Sequence, residues 1–271
     1  MLKSVGPCLE ASFHSGIGNW MYISVEVGLV ALATNHSLIL PDFMHMAFQL
    51  PAEIRRHRPG MTRCRVVRDM QCASGDHTVR KLVEVVSGTT FKKMWTFMFR
   101  WLLGTPRVHV PYFASTVIHL RTVSDANCHS YVNIRRCHHE CVRPHVLECI
   151  GKTPALPPPI VVMSDIRSLA ARTIAHLKSV GYTDVRDEST ILNASDHSVL
   201  SSRAAWDAMV LWTTFARAHV RFASGISTFS KSALLAMPRK RNFVVDTRCR
   251  KAHASDGALF TCRLATRTDL V

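Results

Sequence analysis

Thr116-Val117-Ile118-His119-Leu120-Arg121, followed by Thr122-Val123-Ser124-Asp125, is the stretch on which the reading of the chain turns. Its β-branched residues, entered from Pro111-Tyr112, predict a short strand carrying a histidine and an arginine to its C-terminal end. In an open α/β sheet that end is where ligands sit. A guanidinium there is a rigid, permanently charged fork that matches phosphate oxygens. A strand-terminal arginine also serves as an ordinary surface ion-pair member, so the flanking segments have to decide between the two uses.

Towards the N-terminus, Cys8 to Phe13 reads as a strand, and His14-Ser15-Gly16-Ile17-Gly18-Asn19 as a glycine-punctuated turn into a helix from about Trp20 to Thr34. Ser37 to Leu40, before Pro41-Asp42, is a second strand, which completes a βαβ unit. Gly16 and Gly18 let backbone approach a ligand at a helix N-terminus, or simply make a tight turn. The third glycine of the dinucleotide fingerprint is missing, which argues against NAD. Residues 51–80 are loop-like and arginine-rich: Arg55, Arg56, Arg58, Arg63, Arg65 and Arg68 lack the interleaved aromatics of a nucleic-acid platform. From Phe91 to Leu103 the spacing predicts an amphipathic helix whose Lys92, Lys93 and Arg100 lie off the apolar face. Such a helix packs on a sheet or lies on a membrane surface. Gly104-Thr105-Pro106 ends it and is the candidate boundary between residues 1–105 and 106–271.

Beyond the central strand, Cys128, His129, Cys137, His138, His139, Cys141, His145 and Cys149 have zinc-ligand chemistry without the spacing of a standard finger, so disulfides or a plain loop are the other readings. Ile160 to Met163 is a buried-type strand ending at Ser164-Asp165, where Asp165 either caps the following helix or faces a ligand. Thr183 to Arg186 gives a return strand. Ala204 to Ala218 is an apolar helix, His219 to Ala223 a strand, and Ser227-Thr228-Phe229-Ser230 opens a helix that stops at Pro238. Hydroxyls at a helix start cap it, and the same groups make a phosphate seat. Phe243 to Asp246 is a last strand, with a basic, loosely ordered tail after it.

Composition sets the limits. A chain of 271 residues with 47% hydrophobic and 20% charged residues is globular and large enough for one big domain or two ordinary ones. A formal charge of +15 favours anionic partners. Nine cysteines is an odd number, so at least one stays unpaired within the chain. Two glycosylation acceptor patterns occur, at Asn35-His36-Ser37 and Asn193-Ala194-Ser195. Neither a signal peptide nor a membrane span is expected in this sequence.

In this order the segments resemble the GDP-fucose-dependent fucosyltransferases, the superfamily of α-1,2, α-1,6 and protein-O enzymes. Gly16-Ile17-Gly18-Asn19-Trp20-Met21, with its helix and Ser37 to Asp42, is similar to the family's opening motif. Ile118-His119-Leu120-Arg121 is similar to its central one, and Ser224 to Leu235 to its third, with Met163-Ser164-Asp165 between them. The resemblance implies an α/β fold of two Rossmann-like lobes of the GT-B type, the N-terminal lobe reduced. The first lobe would hold the acceptor and the second the nucleotide sugar. It further implies an inverting glycosyltransferase that needs no metal or cofactor and uses GDP-fucose as donor and a glycan or glycoprotein as acceptor. Arg121 would stabilise the leaving diphosphate, and Gly16, Gly18, Asn19, His119, Asp165, Ser227, Thr228, Phe229 and Ser230 would bind the donor. His14, Glu26 and Asp125 are the candidate general bases. A purine-reading aspartate of the family corresponds to His219. The compartment implied is the Golgi or ER lumen. No nucleic-acid partner is expected, and peripheral membrane association is an open possibility. The other functional class in view is a non-catalytic descendant that binds glycans or nucleotides through its basic surface.

Overall fold

The structure is a computed structural model that describes residues 7–12, 16–56, 64–67, 77–121, 147, 150, 156–164, 167–188, 202–224, 227–238, 241–245 and 263–264. Within them lie ten strands, which form two sheets. The first sheet contains β1 (Cys8–Ala11), β2 (Ser37–Leu40), β3 (Arg55–Arg56) and β4 (Arg65–Val67), in the order β3-β2-β1-β4 and parallel throughout. The second contains β5 (Thr116–Leu120), β6 (Ile160–Ser164), β7 (Val185–Asp187), β8 (Val220–Ser224), β9 (Arg241–Val245) and β10 (Arg263–Leu264), in the order β10-β9-β8-β5-β6-β7. Only the β9–β10 pair is antiparallel.

Seven helices accompany the strands among the described residues: α1 (Ile17–Ala33), α2 (Asp42–Ala47), α3 (His77–Ser87), α4 (Phe91–Leu103), α5 (Arg167–Ser179), α6 (Ser202–Arg217) and α7 (Thr228–Ala236). No helix among them is long and apolar enough to cross a membrane.

Burial explains the local choices. Every residue of β5 and β6 is buried, as β-branched strands covered on both faces of a parallel sheet should be. α1 is apolar nearly all round and buries residues from Ile17 to Ala33, the mark of a helix enclosed by neighbours rather than laid on a surface. It stops at Thr34, and Asn35 follows at φ 53, a conformation asparagine tolerates. α4 is the expected amphipathic helix; it buries Phe91, Trp95, Met98 and Leu102 of the predicted face, with Phe99 and Leu103 added and Met94 and Trp101 half-buried. Glu84 of α3 accepts a 2.8 Å hydrogen bond from the amide of Phe91, which fastens α3 to the start of α4. A disulfide joins Cys8 at the start of β1 to Cys64 beside β4.

Three expectations need correction. The arginine-rich segment 51–80 holds β3, β4 and the start of α3, so it is only partly loop. Its two strands are too short and too charged to show an alternating pattern. The basic tail contributes β10, which pairs with β9. Strand β9 begins at Arg241, before Phe243. The Cys/His cluster from Cys128 to Cys149 lies outside the described residues.

Two apolar cores result. One lies on the Ile118 and Leu120 side of β5, against Leu169 and Leu177 of α5. The other is shared by both sheets and includes Leu9, Leu40, Met98, Val117, Met163, Phe215 and Phe229.

Candidate functional site

Strand order locates the site. From β5 the chain steps outward through β6 to β7, then returns to the other flank of β5 as β8 and continues to β9. The direction of winding therefore reverses between β5 and β8. At such a reversal the following segments leave to opposite faces, and a crevice opens at the carboxyl ends of the two strands. Arg121 is the first residue beyond β5, and Ser227 and α7 follow β8. The two segments singled out in the sequence thus border the same crevice. The first sheet repeats the pattern: winding reverses between β1 and β4, and the segment after β1 leads to Gly16 and α1.

The two reversal points meet through their helices. A Cβ on Gly18 would lie 2.2 Å from the amide nitrogen of Phe229 and 2.6 Å from the carbonyl carbon of Thr228. Gly18 is therefore required by the close approach of α7 to α1. Beside it, the Thr228 hydroxyl donates a 2.7 Å hydrogen bond to Oδ1 of Asn19. Two helix N-termini, each carrying about half a positive charge, converge here. Gly16 is extended, at φ −72 and ψ 163, so it needs no glycine-only conformation.

His119 is buried on β5, with Phe229 at 5.1 Å and Phe215 at 6.2 Å between ring centroids. Burial, and secondarily the charge of Arg121, hold its pKa down to about 3. The ring is therefore neutral, and Nδ1 has no hydrogen-bonding partner among the described residues. Arg121 itself is half-buried. Ser227 is the N-cap of α7 and is buried, but its hydroxyl caps no amide. The cap expected from its position is not formed. Ser230 is fully buried and its hydroxyl turns back to the Ser227 carbonyl at 3.5 Å. Phe229 packs into the shared core, so its ring is not presented for stacking on a base.

Other residues fall elsewhere. Asp165 lies outside the described residues, as do His14 and Asp125. Glu26 is buried on α1 seven residues past Asn19, which is about 10 Å along the axis and away from the crevice. There it reinforces the effect of burial in raising the Tyr22 hydroxyl pKa. His219 stands at the amino end of β8, its ring 5.5 Å from Phe113, at the opposite edge of the sheet from the crevice. One cation escaped notice in the sequence. Arg221 is fully buried on β8, donating to Asn242 Oδ1 at 2.9 Å and to the carbonyls of Ala216 and Ala233. It ties β9 to the helices, and its only sequence signal is a charge inside an apolar strand.

Neither a family model nor a curated protein matches the chain. Solved structures that it is similar to include fucosyltransferases. A FUT1 variant from Arabidopsis thaliana in complex with GDP has a TM-score of 0.49 and 13% identity, over 90% of this chain and 72% of that one. Fucosyltransferase NodZ from Bradyrhizobium has a TM-score of 0.46 and 12% identity, over 89% of this chain and 95% of that one. An α-1,6-fucosyltransferase NodZ structure co-crystallised with GDP has a TM-score of 0.45 and 12% identity, over 89% and 96%.

Proposed function

We propose that the protein is an inverting glycosyltransferase that moves fucose from GDP-fucose to a hydroxyl of a glycan or glycoprotein, without a metal. Residues 1–105 form the acceptor side and residues 106–271 the donor side. What supports the reading is that Arg121 follows β5 and the start of α7 follows β8, the two strands between which the winding reverses, and that Thr228 of α7 bonds Asn19 of α1.

The chemistry follows from charge. The bond between the sugar C1 and the diphosphate oxygen breaks, a bond from C1 to the acceptor oxygen forms on the opposite face, and the acceptor proton passes to a base. Negative charge grows on the departing diphosphate. A fixed guanidinium and oriented helix-start amides stabilise that charge without reorganising at the moment of reaction. Arg121 supplies the first, and the α7 terminus from Ser227 to Ser230 the second. Gly18 brings α1 against α7, and Asn19 holds Thr228, so these two residues position the diphosphate seat. His119, neutral beside Arg121, adds no competing charge and supports Phe229.

The compartment that fits is an oxidising lumen of the secretory pathway. The Cys8–Cys64 disulfide requires such conditions, and the acceptor Asn35 is exposed at the end of α1.

The test is a thermal-shift panel of GDP, UDP, CDP and ADP on the wild type and on Arg121→Ala. GDP should raise the melting temperature of the wild type above the other three, because only a bound nucleotide stabilises the native state. Arg121→Ala should lose both that increment and fucose transfer. A panel with no response, or an increment unchanged in Arg121→Ala, would refute the reading.

A further inference from the structure

Next to the corner where α1 meets α7 lies a group of rings for which the diphosphate has no use. Trp20, the neighbour of Asn19 on α1, packs edge-to-face with Phe43 of α2, the ring centroids 5.2 Å apart and the planes at 88°. Phe43 packs in turn against Trp206 of α6, at 6.3 Å and 89°. The topology places all three on one side of the molecule. α1 and α2 begin at the carboxyl edge of the first sheet, directly after β1 and β2. α6 runs back into β8, so its first turns stand at the carboxyl edge of the second sheet. The rings therefore link the two carboxyl edges beside the crevice.

This surface remains open to solvent. Trp206 is 37% exposed and Met46, one turn past Phe43 on α2, is 54% exposed, whereas Trp95 and Trp212 are buried. Carboxylates adjoin two of these rings in the chain: Asp42, which is exposed, precedes Phe43, and Asp207, which is half-buried, follows Trp206. Aromatic surface bordered by carboxylates suits a neutral pyranose. One face of such a sugar is a set of C–H bonds with slight positive charge, which complements the negative face of an arene. Its hydroxyls donate to carboxylate oxygens in charge-assisted hydrogen bonds. A purely apolar ligand would desolvate Asp42 and Asp207 without return.

We propose that Phe43, Met46 and Trp206 form the floor of an acceptor subsite for a neutral hexopyranose, with Asp42 and Asp207 receiving its hydroxyls. Trp20 is a positioning residue that backs Phe43 and ties the subsite to Asn19. The inference rests on the transferase reading, because it names the acceptor that reading requires.

The experiment is saturation-transfer difference NMR on the full chain with methyl β-glucopyranoside, methyl β-galactopyranoside and cellobiose, and sorbitol as an acyclic control. Ring C–H protons of at least one pyranoside should receive saturation, and those of sorbitol should not. Trp206→Ala should weaken that binding about tenfold. Asp207→Asn, a substitution on the exposed side of α6, should weaken it about threefold. Both variants should keep the GDP melting increment, since neither residue borders the diphosphate seat. A wild type that saturates no pyranoside overturns the subsite, as does binding unchanged in both variants. Pyranoside binding without a GDP response would overturn the nucleotide reading alone, and a GDP response without pyranoside binding would overturn the subsite alone.

Discussion

Gly18→Ala tests how the site is assembled. The added methyl would sit 2.2 Å from the Phe229 nitrogen and 2.6 Å from its Cα. Ordinary contact starts at 3.4 Å, so the α7 backbone must retreat by about 1.2 Å. Overpacking costs about 1–3 kcal/mol, and the upper end applies here because backbone, unlike a side chain, cannot rotate aside. Alanine recovers about 1 kcal/mol of helix propensity over glycine. The net loss is about 2 kcal/mol, or a fall of about 5 °C in melting temperature for a chain of this size. Gly28→Ala, on the same helix, is the control. Its methyl would meet the end of the Met98 side chain at 2.6 Å, and a thioether swings away readily. That variant should melt within about 2 °C of the wild type. Differential scanning fluorimetry with and without GDP reads both effects. Gly18→Ala should lose stability together with most of its GDP increment, whereas Gly28→Ala should keep both. If the two variants behave alike, the clasp between α1 and α7 does not organise the diphosphate seat.

Two further outcomes follow from single features. Cys8 and Cys64 close a loop with a sequence separation of 56, so replacing both with alanine should cost about 4 kcal/mol in urea unfolding; a change within about 1 kcal/mol would show that the bridge contributes no loop constraint. The His119 pKa is about 3 in the fold against 6.5 for a free imidazole, so between those values the unfolded chain binds a proton that the native one refuses. Its contribution is complete above about pH 6.5 and is lost as pH falls towards about 3, by at most about 1.4 kcal/mol per unit. Calorimetry from about pH 4 to about pH 7 should show His119→Phe with a flatter acid limb than the wild type, and parallel limbs would contradict this account.

The sequence was most legible where one physical constraint acted alone. β5 and β6 are covered on both faces, which demands an unbroken apolar run, and Thr116 to Leu120 and Ile160 to Met163 show it plainly. The position of Arg121 at the end of β5 could be read for the same reason. Helix α3 was missed because most of its described residues are exposed, Val83 being the fully buried one among them. Contacts between distant segments left no local trace. Asn19 and Thr228 are 209 residues apart, and nothing near either one announces the other. Gly18 was read as allowing the close approach of a ligand or a tight turn, and the close approach it allows is that of the α7 backbone. Phe229 was assigned to the donor site through the resemblance of Ser224 to Leu235 to a family motif, but the phase of α7 turns it inward onto His119.

The core that Leu9 and Leu40 share with Val117, Met163 and Phe229 gives the molecule one interior for two sheets. A clamshell needs a seam along which its halves can part, and among the described residues the two sheets are joined by apolar side chains packed in one cluster. A swing of the two sheets as separate lobes would therefore have to break this shared core. A cut after residue 105 would strip each half of the side chains that fill the other, so neither fragment could be borrowed as a self-sufficient module.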